Sequence, residues 1–112
     1  MKYVYPALFK AESIGGYSVI FPDIQYGGTS GESLFEAIEM AEDFLALSLY
    51  MMEKDGKQIP PATEPTAVKT ENNEFVTLIV ADTDFYYKWF AKKEARKAAR
   101  AAKKKPELAP VS

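Results

Sequence analysis

The groups able to do chemistry in this 112-residue sequence are carboxylates, lysines, arginines and aromatic rings, because it contains neither histidine nor cysteine. That absence removes thiolate and imidazole metal sites, disulfides, Ser-His and Cys-His pairs, and the commonest general base. No cofactor is expected. An enzyme would have to work with carboxylates, helped by a hard cation such as magnesium. The best carboxylate grouping is Asp23 with Glu32 and Glu36, which reads either as an acidic metal cluster or as local structure. Ser33 and Glu36 form a Ser-x-x-Glu capping box, which accounts for Glu36 without a metal. Asp23 then hydrogen-bonds its own turn, and one strand-end aspartate does not hold a two-metal site. The expectation is a protein with no catalytic and no metal-ligating residue.

The aromatic residues Tyr3, Tyr5, Tyr17, Phe21 and Tyr26 admit two uses, a stacking platform for single-stranded nucleic acid or a core with a protein-binding surface. Charge weighs against the first for the front of the chain. Residues 1–87 hold 5 lysines against 14 acids, net -9, and a phosphate backbone would be repelled there. The same acidity suits a basic protein partner, speeding its approach and orienting it. Asp23, Gln25 and Tyr26, with Tyr17 on the neighbouring strand, are the expected contacts. Residues 88–112 reverse the balance, with 9 Lys/Arg against 2 Glu, net +7. This tail admits three readings. It assembles the chain into a homo-oligomer, a dimer or a tetramer, through Phe85, Trp89 and Phe90; it binds nucleic acid through Lys92, Lys93, Arg96, Lys97 and Arg100; or it docks on an acidic neighbour.

These residues must be positioned by a small α+β fold. Residues 2–10 alternate with period two and predict a strand, with Pro6 placing it at a sheet edge or at a bulge. Gly15 and Gly16 supply a turn, and residues 17–21 a second strand, so 2–21 read as a hairpin. A short third strand is expected around Gly28 and Thr29. Ser33 then opens a helix over 34–54, whose Leu34, Ala37, Ile38, Ala41, Phe44, Leu45, Leu49 and Met52 recur at spacings of three and four. Gly56 provides a left-handed stop, and Pro60-Pro61 forbids continuation. Residues 60–73 form a connector, and 74–80 an apolar strand suited to the sheet centre. Asp82 or Thr83 caps a second helix, aromatic at first and basic through Lys105, with a frayed end from Pro106. The boundary falls between a domain at 1–82 and a helical tail at 83–112. No apolar run approaches the roughly 20 residues that span a bilayer, so no membrane role is expected. The first residues do not read as a signal peptide, which makes the cytoplasm the expected location.

Several of these landmarks recur together. Tyr3-Tyr5-Pro6-Ala7, Gly15-Gly16-Tyr17, Phe21-Pro22-Asp23-Ile24, Thr29, Gly31-Glu32-Ser33, Glu36-Ala37, Ala41, and the ending Gly56 with Ile59-Pro60-Pro61 resemble the HicB antitoxin family over residues 1–80. The resemblance implies a partial RNase H-like fold, βββαβ, without a working nuclease site. It also implies a small basic partner, a HicA-type toxin that cleaves mRNA and whose active face the antitoxin covers. Two departures stand out. Gln25-Tyr26-Gly27 replaces the Pro-Gly-Cys that the family often has. No ribbon-helix-helix or helix-turn-helix pattern, the family's usual DNA-binding module, follows Val80.

Overall fold

The computed structural model describes residues 1–25 and 27–108, with side chains to residue 99. Four strands, β1 (Lys2–Ala11), β2 (Tyr17–Ile20), β3 (Gly28–Gly31) and β4 (Glu74–Asp82), form one antiparallel sheet in the order β3-β2-β1-β4. Helix α1 (Leu34–Lys54) packs on it, and α2 (Asp84–Leu108) follows β4 directly. The α+β class, the βββαβ order and the hairpin all stand as the sequence suggests.

Three expectations need correction. β4 is an outer strand, paired with β1 alone, not a central one. Of its two apolar faces only one is buried: Ile79 and Ala81 enter the core, while Leu78 and Val80 on the other face are exposed. β1 is an inner strand, and its register with β4 runs unbroken through Pro6, so no bulge forms there. β2 reaches only Leu8 to Ala11 of β1, which leaves Pro6 in the half flanked by β4 alone. That half tolerates a residue without a backbone donor. Finally, α2 does not stop before Pro106 but continues to Leu108. A proline in the last turn costs one ladder bond and leaves few residues beyond it to lose.

The β1–β2 turn uses Gly15 and Gly16 at φ of 101° and 80°, a region costly for any residue with a Cβ. Gly31 answers a different need. A Cβ there would stand 2.3 Å from the Ala37 nitrogen, so the first turns of α1 rest directly on the end of β3. Ser33 caps that helix, its hydroxyl accepting the Glu36 N–H at 3.1 Å. At the far end Gly56 (φ 69°) closes a Schellman motif: its N–H donates to Glu53 O at 3.1 Å, and Lys57 N–H to Met52 O at 2.9 Å.

Between these ends Ala37, Ala41, Leu45 and Leu49 form a buried row at every fourth position. They pack on Tyr5, Ala7 and Phe9 of β1, Val19 of β2 and Ile79 of β4. Small residues where helix meets sheet bring the two layers close, and the hydrophobic burial follows from that contact. The connector is tied down at two points. The Tyr5 hydroxyl donates to Pro60 O, and Thr63 donates to Asp23 through both its N–H (2.9 Å) and its hydroxyl (2.5 Å).

Candidate partner-binding surface

The four residues singled out as partner contacts do not lie in one place. Tyr17 borders a hollow of about 660 Å³ near the start of α1, where Glu12, Glu32 and Glu36 line the wall and Ile14 stands at the hairpin tip. Ser18 donates to Glu12 at 2.7 Å, which fixes one carboxylate of that wall. Ile14 is 97% exposed, an apolar side chain offered to solvent at a turn. Asp23 and Gln25 border a second cleft of about 510 Å³, floored by Phe44, Met51 and Met52 of α1 and closed by Lys57 and Pro60. Gln25 is exposed, and Tyr26 lies outside the described residues. Asp23 is already engaged with Thr63, so its first task is to hold the connector against the Phe21–Ile24 turn, not to bond within the turn itself. Its negative charge also reaches Tyr5, whose hydroxyl is held above its usual pKa by burial and then by Asp23.

Both depressions border α1, the first at Glu36 and the second along Phe44, Ser48, Met51 and Met52, and the helix also has an outward face. Glu36, Glu39, Glu42 and Asp43 are exposed there, together with Met40 and Leu47. Sequence reasoning counted these acids in the negative balance of residues 1–87 that suits a basic partner, but named none of them as a contact. Their spacing of three and four was the available signal. Among the described residues the only ion pairs are those of the Met1 amino group with Asp84 (2.5 Å) and Asp82 (3.7 Å). The hydrogen bond to Asp84 raises the amino group's pKa and lowers that of the carboxyl. Among the described residues, the acids of α1 and of the first hollow thus meet no cation in an ion pair.

The last turn of α1 carries a further polar contact. Tyr3 donates to Glu53 at 2.5 Å, and this bond, with burial next, holds the phenol up at about 12. Nearby, Tyr50 anchors α2. Its ring stacks on Phe90 at 5.1 Å and meets Tyr87 edge-on at 4.7 Å. Of the three residues expected to assemble copies, Phe90 therefore packs within its own chain, while Phe85 and Trp89 are 64% and 47% exposed. Sequence reasoning did not single out Tyr50, which falls within the 34–54 helix but outside its row of core-facing residues. Lys92, Lys93, Arg96 and Lys97 are exposed on α2; Arg100 lies on that helix beyond the described side chains. No group of three or more metal-ligating residues exists among the described residues, and no helix there is long and apolar enough to cross a membrane.

A four-stranded antiparallel sheet in this order, covered by one capped helix and trailed by a second, defines the fold on which the comparisons bear. No family model matches the chain. Antitoxin HicB 1 of Photorhabdus laumondii is 39% identical over 56 residues, 50% of this chain and 36% of that protein. The chain thus spans about a third of the relative it matches. In three dimensions it is similar to a chain of a toxin–antitoxin complex from Streptococcus pneumoniae, with TM-score 0.69, 23% identity, and coverage of 77% of this chain and 73% of the other. It is also similar to a chain of the HicA3 and HicB3 toxin-antitoxin complex, with TM-score 0.58, 19% identity, and coverage of 71% and 99%. The Burkholderia pseudomallei antitoxin HicB gives TM-score 0.60, 16% identity, and coverage of 69% and 61%. The resemblance to HicB antitoxins holds in sequence for half of the chain, and in fold for more than two thirds of it.

Proposed function

We propose that this chain is a HicB-type antitoxin, without catalytic activity of its own, that binds a small basic HicA-type toxin and masks the face with which that toxin cleaves mRNA. Residues 1–82 are the toxin-binding domain and 83–112 a separate helical arm. The observation that carries the reading is the uncompensated acidity around α1, where Glu12, Glu32, Glu36, Glu39, Glu42 and Asp43 find no cation among the described residues. An RNA-cleaving protein needs positive charge where it holds phosphate. An acidic surface complements it, speeds association and excludes RNA from the same cations. The two hollows beside α1, bordered by Tyr17 at one end and by Asp23 and Gln25 at the other, give that surface relief into which basic side chains fit. The relatives named antitoxin support the same reading.

The test is co-expression with the small basic product of the neighbouring reading frame. The chain should restore growth arrested by that product and co-purify with it. Unrelieved arrest with no co-purification would contradict the proposal.

A second reading concerns the arm alone. The exposed row Lys92, Lys93, Arg96 and Lys97, continued by Arg100, suits phosphate contact. It requires a salt-sensitive mobility shift with RNA or DNA that disappears when these cations are replaced by glutamate.

A further inference from the structure

Helix α1 carries two apolar stripes, and only one of them faces the sheet. The first is the buried row from Ala37 to Leu49. The second is Met40, Phe44, Leu47 and Met51, at steps of four, three and four, which puts them on one side of the helix. Met40, Leu47 and Met51 are 42%, 41% and 47% exposed, so among the described residues this stripe is left open. Phe44 is its fixed point. The ring stacks on Phe21 at 5.9 Å, and a Cβ at Gly27 would stand 2.7 Å from its Cζ, so the loop backbone lies directly against it. On one flank the stripe opens into the cleft of about 510 Å³ that Phe44, Met51 and Met52 floor, with Gln25 and Lys57 on its walls. On the other flank the same periodicity places Glu36 and Asp43, seven residues apart, with no cation paired to either among the described residues.

We propose, resting on the antitoxin reading above, that the basic partner meets this stripe with an amphipathic α-helix. Its apolar side chains seat between Met40, Phe44, Leu47 and Met51, and its cations lie along Glu36 and Asp43. The occupant follows from period and charge. From residue 40 to residue 51 the stripe runs about 17 Å, three turns of helix. A helix offers apolar side chains at the same spacings of three and four, and the rows of the two interdigitate. An extended segment would bury backbone N–H and C=O groups against the stripe with nothing to pair them. A second copy of this face would bring further acid to the acid already there. The cleft keeps the same sign, with Asp23 and Asp55 against Lys57. Met40 and Met51 adapt their shape to the incoming side chains, whereas Phe44 holds its place. Apolar contact and charge then have separate tasks. The acids set how fast the two proteins meet, and the dehydrated stripe sets how long they stay together.

The chain has no native cysteine, so Met40→Cys and Leu47→Cys each give a single site for a thiol-reactive photocross-linker. In the complex with the small basic product of the neighbouring reading frame, the two sites should label residues about seven apart in one segment of the partner, the advance of a helix over roughly 10 Å. Labels about three apart would mark an extended segment, and labels scattered over separate elements would mark no single one; either result overturns the proposal. Met40→Ala with Leu47→Ala should raise the dissociation constant about thirtyfold or more, chiefly through faster dissociation, and leave its salt dependence as it was. Glu36→Gln with Asp43→Asn should instead slow association and flatten the salt dependence. Leu78→Ala, at a residue exposed on the far face of the sheet, should change neither rate. All five positions are exposed, so urea unfolding should shift little. A complex indifferent to the double alanine variant overturns the proposal and leaves the antitoxin reading standing. Absence of any complex with the parent chain would remove that reading, and this inference with it. A parent chain that self-associates in sedimentation, and is monomeric as the alanine variant, would give the stripe to a second copy and overturn the proposal as well.

Discussion

Helices α1 and α2 are of similar length, 21 and 25 residues, and are held in place by different means. α1 buries a residue at every fourth position from Ala37 to Leu49 and has a cap at each end. α2 is anchored by Tyr86 and Phe90 against Tyr50 and then runs bare, with alanine, lysine and arginine supplying helix propensity in place of burial. The lesson is that one chain has made one helix for the core and another largely for its surroundings. Damage to the first should register as lost stability. Damage to the second beyond Phe90 should leave stability nearly unchanged.

Leu45→Ala should give the largest effect, a loss of about 3 kcal/mol in urea unfolding, because the side chain is wholly buried under α1. On the other helix, Arg96→Ala should stay within about 0.5 kcal/mol of the parent, since an exposed side chain has no packing to lose. A similar cost for the two would break the comparison. Gly31→Ala comes next, at about 2 kcal/mol, because its Cβ would collide with the backbone of Ala37 and lift α1 from β3. Ser33→Ala, which removes the hydroxyl that accepts the Glu36 N–H, should cost about 1 kcal/mol, with Ser33→Asp largely restoring it.

The smallest effect is confined to alkaline pH. Tyr3 rises from 10.0 to about 12 through its bond to Glu53, so the folded state favours the neutral phenol. The stabilisation is whole below pH 10 and disappears as pH climbs through about 12. Thermal melts of Tyr3→Phe should therefore show a shallower decline than the parent across that window, and parallel curves would remove Tyr3 from the account.

What the sequence made legible was local. The bounds 34–54 of α1 follow from Ser33, Glu36, the row of apolar residues and Gly56, all within a few turns of one another. Gly31 was recognisable as part of a motif, but its reason, contact with Ala37, required the two layers to be in place. What escaped was long-range. Asp23 and Thr63 are 40 residues apart, and neither type predicts the bond between them. β4 read as central because it is apolar on both faces, yet only Ile79 and Ala81 are buried, while Leu78 and Val80 on the other face are more than half exposed. The candidate surface was foreseen as acidic and near the Phe-Pro-Asp turn, yet its densest charge lies along α1. There the acids at helical spacing look like an ordinary solvated face, and what sets them apart is that no cation pairs with them among the described residues.

Calorimetric titration of the chain with the basic product of the neighbouring reading frame, followed by an RNA-cleavage assay on the mixture, tests the masking role most directly. The account predicts a saturable complex in the micromolar range or tighter, roughly -8 kcal/mol, that weakens steeply with added salt and no longer cuts RNA. Saturable binding that leaves cleavage undiminished, or no binding at all, would contradict it.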